Sequence, residues 1–391
     1  MPLQVGWCGS LFFVQILVDY RPALRERTGV GELMHNYVCA YTRQPEASLD
    51  EVSIFTSSWK DRPDPNAIAE LGARVIDLKI PVRVLNYLWH RREWPPIERL
   101  AGTVDVVHAA HPLLIPSQQA AQVITVHDLF FLDKPESTTD EIRRDYSNLI
   151  RKHVLKAHAI VTPSFYTAEL VTRTFGVMAD RVHVCPPGPP TWKNLGQTPN
   201  QPSNGYVLFV GTLEPRKNLH LLLDAYERLL NRGLVVTPLV IAGRKTKKSI
   251  DLLNRLKSPP LIGNVNYLGY VASTQREQLY AGAKTLVIPS HDEGFGMPAL
   301  EAMSAGVPVI AADRGALPEV LGNAGPLIQP NDAEDLANAL LKMLTDATFA
   351  KKCAERGLTR ATKFSWDQSA QLLRRTYKHA LKNRLEARAR S

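Results

Sequence analysis

Residues 206–230 read YVLFVGTLEPRKNLHLLLDAYERLL and decide the fold class of this chain. The apolar run Tyr206–Val210 ends at Gly211, and an amphipathic helical pattern begins after Asn218. A buried strand that feeds a turn and then a helix is typical of a parallel α/β sheet. In such sheets ligands bind beyond the carboxyl ends of the strands, so the turn 211–218 is a candidate binding loop.

Two cations lie in this turn, Arg216 and Lys217, directly before the helix. An ordinary charged helix start would explain them, but the helix dipole disfavours cations at that end. Arginine can bind two phosphate oxygens at once, and lysine supplies a point charge. The pattern therefore predicts an anionic ligand.

A second turn, residues 290–301, reads SHDEGFGMPALE. Gly294 and Gly296 permit unusual backbone angles and a close approach to a ligand. Pro298 suits the first position of a helix. The free N–H groups of such a helix start, with the dipole behind them, attract phosphate.

Two carboxylates, Glu293 and Glu301, flank this second turn. Carboxylates beside a phosphate site are unfavourable unless they bind something neutral and hydroxylated, such as a sugar or a ribose. A solvated surface position for both glutamates is the alternative, because turns of this kind are common. We interpret the turn as a site for a nucleotide-sugar.

Apolar runs alternate with helical stretches along most of the chain, which predicts doubly wound parallel sheets. A proline-rich stretch that begins CPPGPP at Cys185 divides them into two series, and neither a helix nor a central strand tolerates that composition. The predicted strands are Ile16–Val18, Val52–Phe55, Val104–Val107, Val123–Val126 and Ile160–Val161, then Val207–Val210, Leu239–Ala242, Val265–Leu268, Thr285–Ile288 and Val307–Ala311.

The segments VGTLEPRKNL and HDEGFGMPALEAMSAGVPVIAADRGALPEVLG resemble the retaining GT-B glycosyltransferases of family 4, group 1. Bacterial mannosyl- and glucosyltransferases of surface-polysaccharide and lipopolysaccharide assembly resemble the chain most. Thr28–Gly31, Val126–Leu129, Thr162–Ser164 and Phe364–Trp366 extend the resemblance in family order.

The resemblance implies a GT-B fold, in which two Rossmann-like domains face each other across a cleft. We expect an acceptor-binding domain over residues 1–185, a linker over 186–205 and a nucleotide-sugar-binding domain over 206–365. A last helix, residues 366–391, is expected to cross back to the first domain.

The resemblance also assigns roles to residues of the second domain. Arg216 and Lys217 match a pyrophosphate clamp that neutralises charge on the leaving group. Glu293 matches the glutamate that contacts the transferred sugar, and Glu301 the one that binds the ribose. The remaining expected donor contacts are Gly211, Thr212, Tyr270, Gly294, Phe295, Gly296 and Met297.

In the first domain the resemblance points to the end of a strand and to a glycine loop. His127 matches a histidine close to the transferred sugar and the acceptor, although a lone histidine is usually structural. Asp128 either orients His127 or caps the following turn. Gly29 and Gly31 match a mobile loop that approaches the donor phosphates, with an ordinary tight turn as the alternative.

Retention of the anomeric configuration follows from the resemblance alone. A double displacement would need a carboxylate nucleophile, for which Glu293 is the nearest candidate, but its matched role is hydroxyl binding. We therefore favour front-face substitution, in which the donor phosphate accepts the acceptor proton. The sequence has no Asp-x-Asp, so we expect no metal and no cofactor besides the nucleotide-sugar co-substrate.

The acceptor is less clearly indicated. Residues 80–100 interleave Tyr87, Trp89 and Trp94 with arginines, which suits either a membrane interface or a half-buried helix. The cationic segment from Arg374 to Arg390 is a solvated helix end by preference, with anionic lipid second. We expect a glycan acceptor that is lipid-linked and a peripheral contact with the cytoplasmic membrane.

Composition limits the alternatives. The 391 residues suit about two domains, and no apolar run approaches the ~18 residues of a membrane span. Four scattered cysteines predict neither zinc nor disulfides and indicate a reduced, cytoplasmic setting. A nucleotide-sugar hydrolase or epimerase remains possible. A non-enzymatic nucleic-acid-binding protein is suggested only by the pI of about 9.3, and no recognisable nucleic-acid module supports it.

Overall fold

The computed structural model describes residues 13–24, 27, 29–45, 49–134, 145–192, 199, 202–234 and 237–390. Thr28 and Cys8, and parts of the expected linker, lie outside the described residues.

The first domain is built on a parallel sheet, which has seven strands among the described residues in the order β3-β2-β1-β4-β5-β6-β7. The strands are β1 Gln15–Asp19, β2 Glu51–Ser57, β3 Arg74–Leu78, β4 Val106–Ala109, β5 Ala121–Thr125, β6 Ala159–Thr162 and β7 Val182–Val184. The helices are α1 Gly29–Thr42, α2 Pro65–Leu71, α3 Val82–Arg92, α4 Glu98–Ala101, α5 Phe130–Asp133, α6 Ser147–Lys156 and α7 Phe165–Phe175.

The second domain repeats the plan with a parallel sheet in the order β10-β9-β8-β11-β12-β13, again among the described residues. Its strands are β8 Tyr206–Val210, β9 Leu239–Ala242, β10 Val265–Gly269, β11 Ala283–Ile288, β12 Val309–Ala312 and β13 Leu327–Ile328. The helices are α8 Leu219–Asn231, α9 Ile250–Arg255, α10 Ser273–Ala281, α11 Met297–Ser304, α12 Leu317–Leu321, α13 Ala333–Thr345, α14 Ala347–Ala361 and α15 Trp366–Arg390.

The predicted architecture of two doubly wound parallel-sheet domains is confirmed. The prediction missed β3, β7 and β13, which all lie at sheet edges. Edge strands are covered on fewer sides and therefore lack a long apolar run; β3, for example, has no fully buried residue. The strand predicted from Val307 begins only at Val309, because Pro308 has no N–H to give to a neighbouring strand.

Each sheet buries both of its faces. In the first domain, α1 and α15 cover one face, where Met34 and Tyr377 are buried, and Trp89 lies in the core of the other face. The last helix, α15, therefore packs on the first domain although its chain enters from the second. The aromatic rings of Tyr37 in α1 and Trp366 in α15 meet edge to face at 5.9 Å.

Candidate active site between the two sheets

A cavity of about 590 Å³ lies between the carboxyl ends of the two sheets and is lined by both domains. The residues predicted for the site line it, with Gly31 as the exception. From the first domain these are Gly29, His127 and Asp128, and from the second Gly211, Thr212, Arg216, Lys217, Tyr270, Glu293, Gly294, Phe295, Gly296, Met297 and Glu301.

The turn after β8 presents the two cations to the cavity. Residues Pro215–Lys217 form a single 3-10 turn, and Asn218 ends it in the left-handed conformation with φ of 52°. The Asn218 side-chain amide donates to the carbonyls of Pro289 and Pro330, at 3.0 and 2.8 Å. These bonds join the cation turn to the loop after β11, which contains Pro289, and to the turn after β13, which contains Pro330.

That loop, residues 290–296, is called the donor loop below, and it leads into α11. Gly296 precedes the helix with φ of 94°, and Pro298 occupies the second helical position instead of the expected first. No side chain among the described residues caps the first turn of α11. Pro298 has no N–H and the Ala299 N–H donates to the Gly296 carbonyl at 2.8 Å, so Met297, which lines the cavity, supplies the N–H of this turn that can bind an anion.

Glu293 is buried between the cations. Its Oε1 accepts from Lys217 Nζ at 2.6 Å and from Ser290 Oγ at 2.7 Å, and Arg216 Nη1 lies 3.8 Å from Oε2. Burial alone would raise the pKa of Glu293, but Lys217 and Arg216 outweigh it and the pKa is lowered. Glu293 is therefore ionised near neutral pH.

Arg216 joins the two domains electrostatically. Its guanidinium binds Asp128 of the first domain and Glu214 of its own turn, each at 3.1 Å. Burial would lower the pKa of Arg216, but Asp128 and Glu293 raise it overall. Asp128 also accepts from Phe130 N at 3.2 Å, which matches the turn-capping alternative.

Asp292 is a buried carboxyl beside this network that sequence reasoning passed over. Within the described part of the chain, its Oδ1 has no hydrogen-bond partner. Burial first, and then the negative charge of Asp128, raise the pKa of Asp292 from 3.8 to about 6. A hydrogen bond with Tyr166 opposes the rise.

Glu301 lies one turn into α11, and its two oxygens are held separately. Oε1 accepts from Arg276 Nη1 and Oε2 from the Tyr280 hydroxyl, both at 2.7 Å. Burial raises the pKa of Glu301 despite Arg276. The same Arg276 lies 3.8 Å from Glu32 of α1, so the first domain reaches this end of the cavity too.

His127 follows β5 and is half-buried at the cavity surface. Its Nε2 lies 2.8 Å from the Ala110 carbonyl, which can only accept, so Nε2 carries the proton. Burial lowers the pKa of His127, which favours the neutral ring. The other nitrogen, Nδ1, then has a lone pair and can accept a hydroxyl proton or hydrogen bond.

The two glycines of the first loop differ in position. Gly29 begins α1 with φ of 37° and lines the cavity. Gly31 packs against the neighbouring turn, where a Cβ would lie 2.6 Å from the Pro22 carbonyl oxygen. Gly31 therefore allows close backbone packing beneath the cavity, and the cavity lining begins at Gly29.

Arg244, Arg276 and Ser290 complete the site and were not predicted. Arg244 lies over the ring of Tyr270 at 5.2 Å, at the cavity surface. Arg244 and Arg276 lie outside a recognisable motif and far in sequence from their partners Tyr270 and Glu301. Only Ser290, the first residue of the donor loop and three residues before Glu293, carried a local signal.

Among the described residues, no group of three or more His, Cys, Asp or Glu side chains is placed to hold a metal ion. Within the same residues, none of the helices combines the length and apolar character needed to cross a membrane.

Comparison with known proteins gives matches along most of the chain. Residues 34–191 match the description Glycosyltransferase Family 4, and residues 191–360 match Glycosyl transferases group 1. O-antigen chain mannosyltransferase B of Escherichia coli is 32% identical over 272 residues, covering 67% of this chain and 71% of that protein.

Solved structures match the fold over almost its whole length. Sucrose-phosphate synthase from Thermosynechococcus elongatus has a TM-score of 0.73 at 19% identity and covers 93% of this chain and 98% of its own. HepE from Anabaena, in complex with UDP-glucose, has a TM-score of 0.69 at 18% identity, with coverage of 93% and 99%.

Proposed function

Because this chain belongs to glycosyltransferase family 4, group 1, we propose that it transfers a hexose from a nucleotide diphosphate sugar to a glycan hydroxyl. Mannose is the favoured hexose and glucose the next. The similar O-antigen chain mannosyltransferase supports mannose and a surface-polysaccharide acceptor. The anomeric configuration is retained, and the reaction needs no metal.

One observation supports the proposal: the second domain lines one side of the cavity with two cations, a helix start and buried carboxylates, which suit the diphosphate, the sugar and the ribose of a nucleotide-sugar. Arg216, Lys217 and the uncapped start of α11 attract a diphosphate. Glu293 and Glu301 are buried carboxylates, suited to hydroxyls of a sugar and a ribose. A binding site for a simple anion would not need the two carboxylates.

The cations stabilise the leaving group. As the glycosidic bond breaks, negative charge develops on the diphosphate, and Arg216 and Lys217 neutralise it. Lys217 is bonded to Glu293 in the structure, so the diphosphate competes with Glu293 for this cation. Glu293 can then accept hydrogen bonds from the sugar, while Ser290 keeps its carboxylate in place.

The reaction is a front-face substitution. The bond between the anomeric carbon and the donor phosphate oxygen breaks, and a bond to the acceptor oxygen forms on the same face. The acceptor proton passes to the departing phosphate oxygen. His127 Nδ1, with its lone pair, orients the sugar or the acceptor by accepting a hydroxyl hydrogen bond.

The acceptor is lipid-linked in this proposal, and α3 provides a contact with the membrane surface. Trp89 is buried, but Tyr87 and Trp94 remain 58% and 51% exposed beside exposed arginines of the same segment. Aromatic and cationic side chains together suit the interface of an anionic membrane. The exposed cations of α15 are a second candidate contact.

Nucleotide binding is tested first, by thermal shift against GDP, UDP, ADP and TDP and their sugar conjugates with EDTA present. A ligand at 100 times its Kd adds about 2.7 kcal/mol to stability. Glu301→Ala should abolish the shift. Glu334→Ala, which removes an exposed carboxylate of the same domain, should preserve it.

Transfer is then measured with the nucleotide-sugar that binds, and the anomer of the product is assigned by NMR. A product of retained configuration, formed only when a glycan acceptor is present, supports the proposal. Rapid release of free sugar without an acceptor would point to a hydrolase instead. Loss of the thermal shift in EDTA, restored by a divalent cation, would refute metal independence.

A further inference from the structure

Helix α7 of the first domain is capped by a side chain of the second domain. Glu319, in α12, accepts from Phe165 N and Tyr166 N, the first two N–H groups of α7, at 2.9 Å each. A carboxylate at a helix start is favoured by the dipole as well as by its two hydrogen bonds. Both of these N–H donors to the Glu319 carboxylate lie in the first domain.

The backbone around Glu319 is fixed within the second domain. Arg360 of α14 donates to the carbonyls of Glu319 and Val320, at 2.6 and 3.0 Å. Ala316, just before α12, donates its N–H to the carbonyl of Glu293 at 2.8 Å. A short rigid connection therefore joins the Glu319 carboxylate to the backbone of the sugar-binding candidate Glu293.

The first turn of α7 also contacts the donor loop directly. Ser164 Oγ donates to the Gly294 carbonyl at 2.7 Å, and Thr167 Oγ1 lies 3.2 Å from the same oxygen. Gly294 presses so closely on the first domain that a Cβ would lie 1.7 Å from the His127 carbonyl oxygen. Thr167 Oγ1 also lies 3.5 Å from the His127 carbonyl oxygen, so the first turn of α7 contacts both His127 and the donor loop.

We propose that Glu319 is a positioning residue for group transfer, which docks the start of α7 on the second domain and sets the separation between His127 and Glu293. Glu319 does not line the cavity, so it acts without touching substrate. This inference rests on the proposed transferase function. It goes beyond that function because it names a carboxylate outside the cavity as the group that aligns His127 of the first domain with Glu293 of the second.

A change of the Glu319 side chain should affect sugar transfer but not nucleotide binding. The predicted donor contacts lie in the second domain, whose Arg360 bonds to α12 use backbone carbonyls and survive a change of the Glu319 side chain. Glu319→Ala should leave the nucleotide Kd within about twofold of the wild type. The turnover number for transfer should fall at least tenfold, because His127 and the acceptor lose their alignment.

Two further variants refine the test. Glu319→Gln keeps one oxygen acceptor but turns an amide NH₂ toward the second N–H. Its turnover number should therefore lie between those of the wild type and Glu319→Ala. Glu334→Ala removes an exposed carboxylate of the same domain and should transfer sugar at the wild-type rate. Nucleotide titration and transfer kinetics are run on each full-length variant.

The distance between the domains is measured in parallel, by pulsed EPR between spin labels at Thr174 and Lys351, which are both exposed. Glu319→Ala should lengthen or broaden the distance distribution. An unchanged distribution with unchanged turnover overturns the proposal, and so does a nucleotide Kd that weakens as much as turnover falls. If the wild type transfers no sugar at all, the proposed function fails, while the distance measurement still decides whether Glu319 docks α7.

Discussion

Asp292→Asn should make the protein more stable at neutral pH and should have little effect in acid. The Asp292 carboxyl is 9% exposed, close to Asp128, and its Oδ1 has no hydrogen-bond partner among the described residues. Tyr166 and Arg216 favour its charged form but do not outweigh burial. Asparagine keeps the shape and an acceptor oxygen while removing the charge.

The magnitude follows from the raised pKa. Burial moves the pKa of Asp292 from 3.8 to about 6, so the folded protein binds the proton more tightly than the unfolded chain does. Folding is therefore favoured by the protonated carboxyl below pH 4, and this contribution is lost as the pH rises toward 6. At pH 7 the charged carboxylate costs about 3 kcal/mol, which Asp292→Asn should recover in large part.

The assay is urea denaturation of the wild type and Asp292→Asn between pH 3.5 and 8, with the difference in midpoint plotted against pH. Asp251→Asn, at an exposed aspartate of the same domain, is the control and should change stability by less than about 0.5 kcal/mol. The reasoning is refuted if Asp292→Asn is less stable than the wild type at pH 7, or if the difference does not grow with pH.

Three further results are expected. Lys217→Met should destabilise the protein by about 3 kcal/mol, because it leaves the buried Glu293 without its closest cation. Adding Glu293→Gln should restore most of this stability in the same denaturation assay, and strictly additive effects of the two substitutions would contradict the explanation. His127→Ala should lower the transfer rate at least tenfold at constant nucleotide Kd. Since burial lowers the pKa of His127 from 6.5, protonation of this group should reduce the wild-type rate with an apparent pKa below 6.5; a fall with an apparent pKa near 7 would oppose this. Tyr87→Ser with Trp94→Ser should weaken binding to phosphatidylglycerol vesicles about tenfold in a flotation assay, whereas unchanged flotation would exclude the α3 contact.

The fold could be predicted because central parallel strands are buried on both faces and leave apolar runs in the sequence. β8 and β9 were found within one residue of their observed bounds. Edge strands such as β3 carry no such run, since their exposed residues need not be apolar. In α3, Trp89 is buried and Tyr87 is exposed. Which of the two is buried depends on the face of α3 that meets the sheet, and the composition of the segment could not predict that face.

The site was predictable where one local segment carries its own chemistry. Arg216, Lys217 and the donor loop combine turn residues, charge and a helix start within a few positions. Arg276 could not be found in this way, because its partner Glu301 is 25 residues distant and only the packing of α10 on α11 brings them together. Glu319 was equally hidden, since its partners belong to the other domain.

The ion pairs of the site make donor binding and domain position interdependent. Arg216 is bonded at once to Asp128 of the first domain and to Glu214 of the second, and it lies near Glu293. A diphosphate that displaces the Asp128 carboxylate from the Arg216 guanidinium breaks this contact between the domains. The first domain then loses one electrostatic contact at the cavity but keeps the Glu319 cap on α7. In the proposed transfer, the cap outside the cavity therefore holds the domains together while the contacts inside it are exchanged, and this keeps His127 in place beside the proposed sugar site.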